Sequence, residues 1–209
     1  MKRTSREQRE IEARNKLVQG QRARSAVQTG TSVRHEIALL APKGCVGVEC
    51  GVDTGQFSER LWNTGQFRAF HSVDKWDDIA HPESQYWAAC EKLITYEGVR
   101  IWRMTAQQFA TIAGYAGLQF GFIYMDCYAH TGQDDGGVLD AMWPLLEDGG
   151  LFAGDDYDAQ KWPDNYRIVN EFAERVSRDV QVYSDHMDQD RPKYDGYPSW
   201  YFYKGLAPD

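Results

Sequence analysis

Three aspartates follow two strand-like segments and could bind a cation together. Asp126 comes directly after the apolar run FGFIYM (120–125), and Asp155 and Asp156 come directly after LFAG (151–154). Carboxylates crowded at neighbouring strand ends repel one another when they are buried and unpaired, and a cation between them removes that cost. Oxygen-only ligands favour Mg²⁺, Mn²⁺ or Ca²⁺ over zinc. The pattern therefore predicts a metal site, with capping or solvated carboxylates as the alternative.

The loop after the first predicted strand has the composition of a cofactor-binding turn. It reads ECGVDTG from Glu49 to Gly55. Glycine lets such a loop turn tightly and lets a ligand lie against the backbone. A dinucleotide site of the dehydrogenase type has GxGxxG spacing, whereas Gly51 and Gly55 have GxxxG spacing with acids at Glu49 and Asp53. The loop favours a cationic ligand without phosphates over NAD, so Glu49, Gly51 and Gly55 are candidate cofactor-binding residues.

Two further strand ends supply candidate contacts to a nucleoside. Asp74 follows the second predicted strand, where a carboxylate can accept both hydroxyls of a ribose, and Trp76, two residues later, could form a wall of the site. Thr105, Ala106 and Gln107 follow the third strand, where backbone amides and a side chain could contact an adenine edge. The alternatives that need no ligand are a helix N-cap at Asp74 or Thr105 and a core position for Trp76.

The elements that must position these residues alternate between strand and helix. Apolar runs predict the strands and apolar residues at helical spacing predict the helices. The predicted strands are 45–50, 68–73, 99–103, 120–125, 151–154, 180–183 and 199–203, and the predicted helices are 56–64, 83–95, 105–113, 134–146 and 164–177. Five strand–helix units followed by two strands predict an α/β fold, a doubly wound sheet with helices on both faces and an antiparallel edge strand. Ligands bind such sheets at the carboxyl ends of the strands.

The first 43 residues differ in character and predict a basic helical extension (1–43) before the main domain (44–209). Residues 5–28 are polar and helix-permissive, and a short helix is expected at 32–40. Residues 1–34 hold nine Lys or Arg and three acids, a charge of +6, so the rest must carry about −14 to reach the net charge of −8. An acidic body repels a phosphate backbone, which makes nucleic acid an unlikely partner. The extension could contact an anionic partner or a second subunit in a homo-oligomer, or be a solvated helix.

Length and composition exclude several classes of protein. The chain has 209 residues, of which 42% are hydrophobic, as expected for one packed α/β domain. No segment has the roughly 18 to 20 consecutive apolar residues of a membrane helix, and no secretory signal pattern follows the basic N-terminus. The four cysteines lack CxxC spacing, which favours buried free thiols in a reducing compartment. We therefore expect a cytoplasmic protein that acts away from the membrane.

The ordered motifs resemble those of class I S-adenosylmethionine (SAM)-dependent methyltransferases. The similarity rests on VECGVDTGQFSERL, SVDKW, IYMD with a following histidine, PLLEDGGLFAGDDY and PSWYFYK, and covers about residues 44–204. It is greatest to the macrocin and sugar O-methyltransferases and to related small bacterial and phage proteins. The resemblance implies a Rossmann-like sheet in the order 3-2-1-4-5-7-6, with SAM bound by the first-strand loop and Asp74. It also implies Mg²⁺ at Asp126, Asp155 and Asp156, where the metal would orient an acceptor hydroxyl and lower its pKa.

One departure from this group concerns the general base. Members often have a second acid two positions after the first metal-binding aspartate, and this chain has Tyr128 there. His130 is then the nearest residue suited to accept a proton near neutral pH, so His130 and Asp126 are the candidate catalytic residues, with a structural histidine as the alternative.

The expected function is magnesium-assisted O-methylation of a hydroxyl on a small molecule such as a sugar. Two alternatives stay open. One is a metal-independent N- or O-methyltransferase, and the other is a non-catalytic protein that binds SAM or S-adenosylhomocysteine (SAH) and acts through its basic N-terminus.

Overall fold

Seven strands form one mixed sheet in the computed structural model, which describes residues 34–79, 81–183 and 198–206. The strands are β1 (Cys45–Cys50), β2 (Phe67–Asp74), β3 (Val99–Arg103), β4 (Phe120–Met125), β5 (Leu146–Gly154), β6 (Gln181–Tyr183) and β7 (Ser199–Tyr203). Their order is β3-β2-β1-β4-β5-β7-β6, and β7 runs antiparallel to both of its neighbours. The predicted fold class and strand order are confirmed.

Helices cover both faces of the sheet and divide the core in two. The α-helices are α1 (Gln56–Asn63), α2 (Glu83–Leu93), α3 (Ala106–Tyr115), α4 (Gly137–Met142) and α5 (Pro163–Arg175), and the 3-10 helices are Arg34–Leu40, Ala129–Thr131 and Trp143–Leu145. Side chains alternate along β4, so that Ile123 packs in the cluster with α3, α4 and α5, whereas Tyr124 packs in the cluster with Arg34–Leu40, α1 and α2. Every residue of β4 is buried, as expected for a central strand covered on both sides.

The predicted helix at 134–146 is wrong at both ends. Its start is a left-handed turn, in which every residue from Gly132 to Gly136 has a φ between 50° and 85°. Glycines at each end adopt this conformation without steric cost, and aspartate tolerates it better than most residues. Within the predicted segment 134–146, only α4 is a regular helix. Pro144 has no amide hydrogen, and a 3-10 helix (Trp143–Leu145) replaces the last predicted turn.

The short helix predicted at 32–40 is the 3-10 helix Arg34–Leu40, and it packs into the core of the domain. Ile37 and Ala38 are fully buried, and the hydroxyl of Tyr203 donates a hydrogen bond to the carbonyl of Leu40 at 3.0 Å. A boundary after residue 43 would therefore assign packed residues to the extension. The helix expected at 5–28, with any subunit contact it makes, lies outside the described residues.

Among the residues that the structure describes, no helix is both long enough and apolar enough to span a bilayer.

Candidate active site

One cavity of about 750 Å³ lies at the carboxyl ends of the parallel strands. This volume falls within the range of ligand-binding sites. The wall contains four residues predicted to bind a cofactor and three predicted to take part in catalysis or metal binding. These seven residues are Gly51, Asp74, Thr105, Ala106, Asp126, His130 and Asp156. The residues predicted to bind the cofactor and those predicted to act in catalysis or metal binding therefore line the same cavity.

Gly51 permits the first-strand loop to pass against the end of β4. Its φ is 95°, and a Cβ atom at this position would lie 2.0 Å from the carbonyl oxygen of Asp126. Gly55, the second glycine of the motif, has a φ of 77° and packs against Ala89 and Leu93 of α2. Gly51 thus shapes the cavity, whereas Gly55 serves helix packing and does not line the cavity.

Asp74 holds two loops together at the cavity wall. Its Oδ2 accepts hydrogen bonds from the amides of Val52 at 2.7 Å and Asp53 at 3.1 Å, and its Oδ1 accepts one from the amide of Trp76 at 3.2 Å. It is not a helix N-cap. A carboxylate has about four acceptor positions, so Asp74, which lines the cavity, retains capacity for a hydrogen bond from a ligand hydroxyl.

Trp76 is a core aromatic residue. Its side chain is fully buried, and its indole Nε1 donates to the carbonyl of Asp53 at 2.8 Å. Its ring packs against Tyr86, with the ring centroids 5.1 Å apart. Trp76 therefore stabilises the first-strand loop through its hydrogen bond to Asp53. It does not line the cavity, where the sequence placed it as a candidate wall of the cofactor site.

The segment after β3 divides its roles among three residues. Thr105 is the N-cap of α3, and with Gln108 it forms a reciprocal capping box. Ala106 borders the cavity. The Nε2 of Gln107 donates to Asp134 Oδ2 at 2.9 Å, so this side chain braces the left-handed turn and does not line the cavity.

Glu49 is fully buried near the end of β1. Its carboxylate accepts a hydrogen bond from Ser58, whose hydroxyl also accepts one from Ser72 at 2.9 Å. The second oxygen, Oε1, is buried and has no hydrogen-bond partner among the described residues. Burial raises the pKa of Glu49 to about 8. Glu49 does not line the cavity, so a direct contact with a cofactor stays a prediction.

The three aspartates come together as the sequence predicts. One carboxylate oxygen from each of Asp126, Asp155 and Asp156 lies within 4.8 Å of the others. A cation already lies among them, because Nη2 of Arg34 is 2.5 Å from Asp126 Oδ2 and 2.9 Å from Asp155 Oδ2. The acidic trio is therefore partly neutralised by the chain itself.

Arg34 is buried among the described residues. Its Nε donates to the hydroxyl of Tyr124 at 3.0 Å, and its Cζ lies 4.0 Å from the ring centroid of Phe57. Only 6% of the residue is exposed. Burial opposes its charge, but Asp126 and Asp155 hold the pKa of Arg34 well above its usual value. Sequence reasoning missed Arg34; the signal was the apolar run IALL (37–40) just after it, which indicates a packed segment.

A divalent metal does not fit this arrangement of the trio. One oxygen of Asp126 and one oxygen of Asp155 contact the same nitrogen of Arg34, Nη2, so the guanidinium already occupies the position between these two carboxylates. A metal would have to displace Arg34, so no step of the chemistry is derived through a metal.

Asp156 is the member of the trio that faces the cavity without a hydrogen bond or ion pair to its carboxylate among the described residues. Burial and the charge of Asp126 raise the pKa of Asp156 to about 7. Its φ is 58°, and Asn165 holds this backbone by donating to the carbonyls of Asp156 at 3.0 Å and Asp155 at 3.1 Å. Gln133, in the left-handed turn, donates in turn to Asn165 Oδ1 at 3.0 Å. Asn165 and Gln133 were not predicted, because their partners are distant in sequence.

His130 also lines the cavity and is exposed. Its ring packs edge-on against Trp162, with centroids 4.4 Å apart and an interplanar angle of 76°. Tyr128, where an acid was expected, also lines the cavity. The structure thus brings His130 and Asp156 to the same cavity, and each can accept a proton from a bound acceptor.

Comparison with known proteins identifies the family. The family described as "Methyltransferase domain" matches residues 46–157, more than half of the 209-residue chain. The chain belongs to this family of methyltransferase domains, which confirms the predicted enzyme class. A search of curated proteins gave no match.

Solved structures of SAM-dependent methyltransferases share the fold at low sequence identity. One is a putative SAM-dependent methyltransferase from Streptococcus mutans (12% identity, TM-score 0.55). The similarity covers 79% of this chain but only 46% of that longer one. Another is the N-methyltransferase NodS from Bradyrhizobium japonicum WM9 (16%, TM-score 0.58; 82% of this chain and 94% of that one). A third is SMU.1697c, a putative methyltransferase from Streptococcus mutans in complex with SAH (14%, TM-score 0.58; 81% and 94%).

Proposed function

We propose that this protein transfers the methyl group of SAM to a hydroxyl of a small polar molecule, such as a sugar-like natural product. The observation that carries the proposal is the single cavity that runs from Asp74 and Thr105 to Asp126 and Asp156. In this arrangement SAM lies over the ends of β1, β2 and β3, and its methyl group points toward the acceptor beside the ends of β4 and β5.

The charge of the cavity wall supports this choice of ligands. Four aspartates line the wall, namely Asp74, Asp78, Asp126 and Asp156. Lys75 also lines it but is paired with Asp77 at 3.1 Å and Asp78 at 2.9 Å. An excess of negative charge attracts the sulfonium of SAM and repels phosphates. The acceptor is therefore a neutral or cationic small molecule, and a nucleic acid does not suit the wall.

The reaction is a direct displacement in which the chain mainly aligns the two substrates. An oxygen lone pair of the acceptor forms the new bond to the methyl carbon as the carbon–sulfur bond breaks, and SAH leaves as a neutral thioether. The hydroxyl proton passes to a base at the cavity wall. We assign this role to His130, with the carboxylate of Asp156 orienting the hydroxyl by accepting its hydrogen bond.

Magnesium assistance, which the family resemblance implies, is not part of this proposal. Arg34 provides positive charge where the metal would bind, and the oxygens of Asp126 and Asp155 are engaged with it.

Methylation of an amine is a second candidate, favoured by the same acidic wall. Uncompensated carboxylates bind an ammonium group and can accept its proton before transfer. The fold similarity to an N-methyltransferase is compatible with this candidate.

Methyl transfer to a defined panel of acceptors tests the proposal. SAM with a ¹³C-labelled methyl group is incubated with sugars, polyols and alkyl amines, and NMR identifies the methylated atom. We expect a methyl ether, and an N-methyl product would establish the second candidate instead. SAH binding without transfer to any acceptor would leave the non-catalytic alternative.

The base assignment is tested with His130→Gln. We expect kcat to fall by about 100-fold or more with little change in the KM for SAM, since general bases contribute about 10²–10⁴-fold. Asp148→Asn, an exposed residue outside the cavity wall, is the control. An unchanged kcat for His130→Gln would exclude His130 as the base.

A further inference from the structure

Arg34 and the acidic trio form one charge cluster at the carboxyl end of the sheet. The side chains of Arg34, Asp126 and Asp155 are 6%, 24% and 6% exposed. Two acids buried to this extent are costly unless a cation pairs with both. A single guanidinium nitrogen contacts one oxygen of each acid, which is the position that a bridging metal ion would take.

The surroundings of Arg34 are built for a guanidinium. The ring of Phe57 lies 4.0 Å from Cζ, which is the stacking geometry that a planar cation uses. The hydroxyl of Tyr124 accepts from Nε, and the same hydroxyl is 2.7 Å from Ser199 Oγ. Ser199 in turn reaches Asp155 Oδ1 at 3.5 Å. The guanidinium therefore belongs to a network that fixes its orientation as well as its charge.

The segment that carries Arg34 is anchored to the domain. Ile37 and Ala38 are fully buried one turn later, and Tyr203 holds the carbonyl of Leu40. A metal could enter only if Arg34 left both acids while its own helix stayed packed. The buried guanidinium would then lose its partners, which is the costly way to break a buried ion pair.

We propose that Arg34 takes the place of a divalent cation in the acidic trio, so that this domain carries its own counter-charge and needs no metal. The trio is thereby divided. Asp126 and Asp155 bind Arg34, and Asp156 keeps its carboxylate for the acceptor. The claim that transfer is metal-independent rests on the proposed function, whereas the claim that Arg34 excludes a metal does not.

Binding of Mn²⁺, counted by electron paramagnetic resonance of the free ion, tests the exclusion directly on the full chain. We expect wild type to leave Mn²⁺ free up to about 1 mM, far weaker than dedicated oxygen-ligand sites. Arg34→Met removes the charge and retains a long apolar side chain, so it should bind Mn²⁺ at least tenfold more tightly. The double variant with Asp155→Asn should lose this binding again.

A second variant keeps the test decisive if Arg34→Met does not fold. Arg34→Lys retains a cation, so it should fold and still exclude Mn²⁺. The single variant Asp155→Asn, which retains Arg34, should leave Mn²⁺ free as wild type does. Micromolar Mn²⁺ binding by wild type that Asp155→Asn abolishes would overturn the proposal. Equal Mn²⁺ binding by wild type and folded Arg34→Met would overturn it as well.

The catalytic half is measured separately from the metal half. Once an acceptor is known, wild-type transfer should stay within twofold after treatment with EDTA. A rate that falls at least tenfold with EDTA and recovers with Mg²⁺ would contradict metal independence. Absence of any transfer would count against the proposed function alone, because the Mn²⁺ measurement does not depend on turnover.

Discussion

The buried acids at the strand ends differ in their hydrogen-bond and ion-pair partners. Asp74 accepts three backbone amides, and Asp155 is paired with Arg34. Glu49 has only the hydroxyl of Ser58 and one oxygen without a partner among the described residues. A buried carboxylate with so little compensation favours its neutral form.

Glu49→Gln should therefore reduce the pH dependence of stability. The pKa of Glu49 rises from 4.5 to about 8 on folding, so between these values the folded state keeps a proton that the unfolded state releases. Stability then falls as the pH increases through this window, by at most about 1.4 kcal/mol per pH unit from this one group. Glutamine has no such titration, so we expect a smaller loss of unfolding free energy from pH 5 to 8.5 in urea titrations.

Glu91→Gln is the matched control for this measurement, because Glu91 lies exposed on α2. It should lose stability with pH as steeply as wild type. If Glu49→Gln follows the same slope as wild type and the control, the buried carboxylate is already ionised in the folded state.

Among the elements, the left-handed turn before α4 is the one that departs most from regular structure. Each residue other than glycine costs about 1–2 kcal/mol in this conformation, so its neighbours must hold it. Thr131 Oγ1 accepts from the amide of Asp134 at 3.2 Å, and Gln133 binds Asn165. Through Asn165 the turn positions the backbone of Asp155 and Asp156, which makes it part of the site.

The conformation of the turn can be tested at Asp135, an exposed residue with a φ of 50°. We expect Asp135→Gly to be about 1 kcal/mol more stable than Asp135→Ala, because glycine adopts a left-handed backbone without steric cost. Unfolding by urea measures the difference. The same pair of changes at exposed Glu91 in α2 should give the opposite order, since alanine is favoured over glycine by about 1 kcal/mol within a regular helix. Greater stability of Asp135→Ala would refute the left-handed turn.

Local pattern predicted most of the elements, and long-range contacts account for what it missed. The bounds of β1, β3, β4 and β7 agree with the prediction because each is a short segment with a strand-like apolar or alternating pattern. The handedness of the turn at Gly132–Asp135 depends on contacts with α3 and α5, which periodicity does not report. Arg34 contacts Tyr124 and Asp126, 90 and 92 residues away, so its charge alone suggested a solvated segment.

The same distinction explains the candidate site. Of the acids expected at strand ends, Asp74, Asp126 and Asp156 line the cavity, because topology brings strand ends together, whereas Asp155 does not line it. Trp76 and Gln107 were also expected there, but the direction of each side chain is decided by a hydrogen bond to another loop, to Asp53 and to Asp134.

For the molecule as a whole, the contacts of Arg34–Leu40 bear on where the domain begins. A chain that starts at residue 44 lacks Ile37 and Ala38 from the core and leaves Asp126 and Asp155 without Arg34. We expect it to be about 3–5 kcal/mol less stable than a chain that starts at residue 34, because a broken buried ion pair alone costs that much. Urea unfolding of the two chains measures this difference. Equal stability would support the boundary predicted after residue 43.

Calorimetric titration with SAH tests the central claim, that the cavity at the strand ends is a SAM site. We expect one SAH bound per chain, with at least tenfold weaker binding in Asp74→Asn, since a hydrogen bond to a charged group contributes about 1.5–3 kcal/mol. Asp148→Asn, an exposed aspartate outside the cavity wall, should bind SAH like wild type, and NADH should give no heat. Absence of SAH binding, or SAH binding that Asp74→Asn leaves unchanged, would contradict this assignment of the cavity.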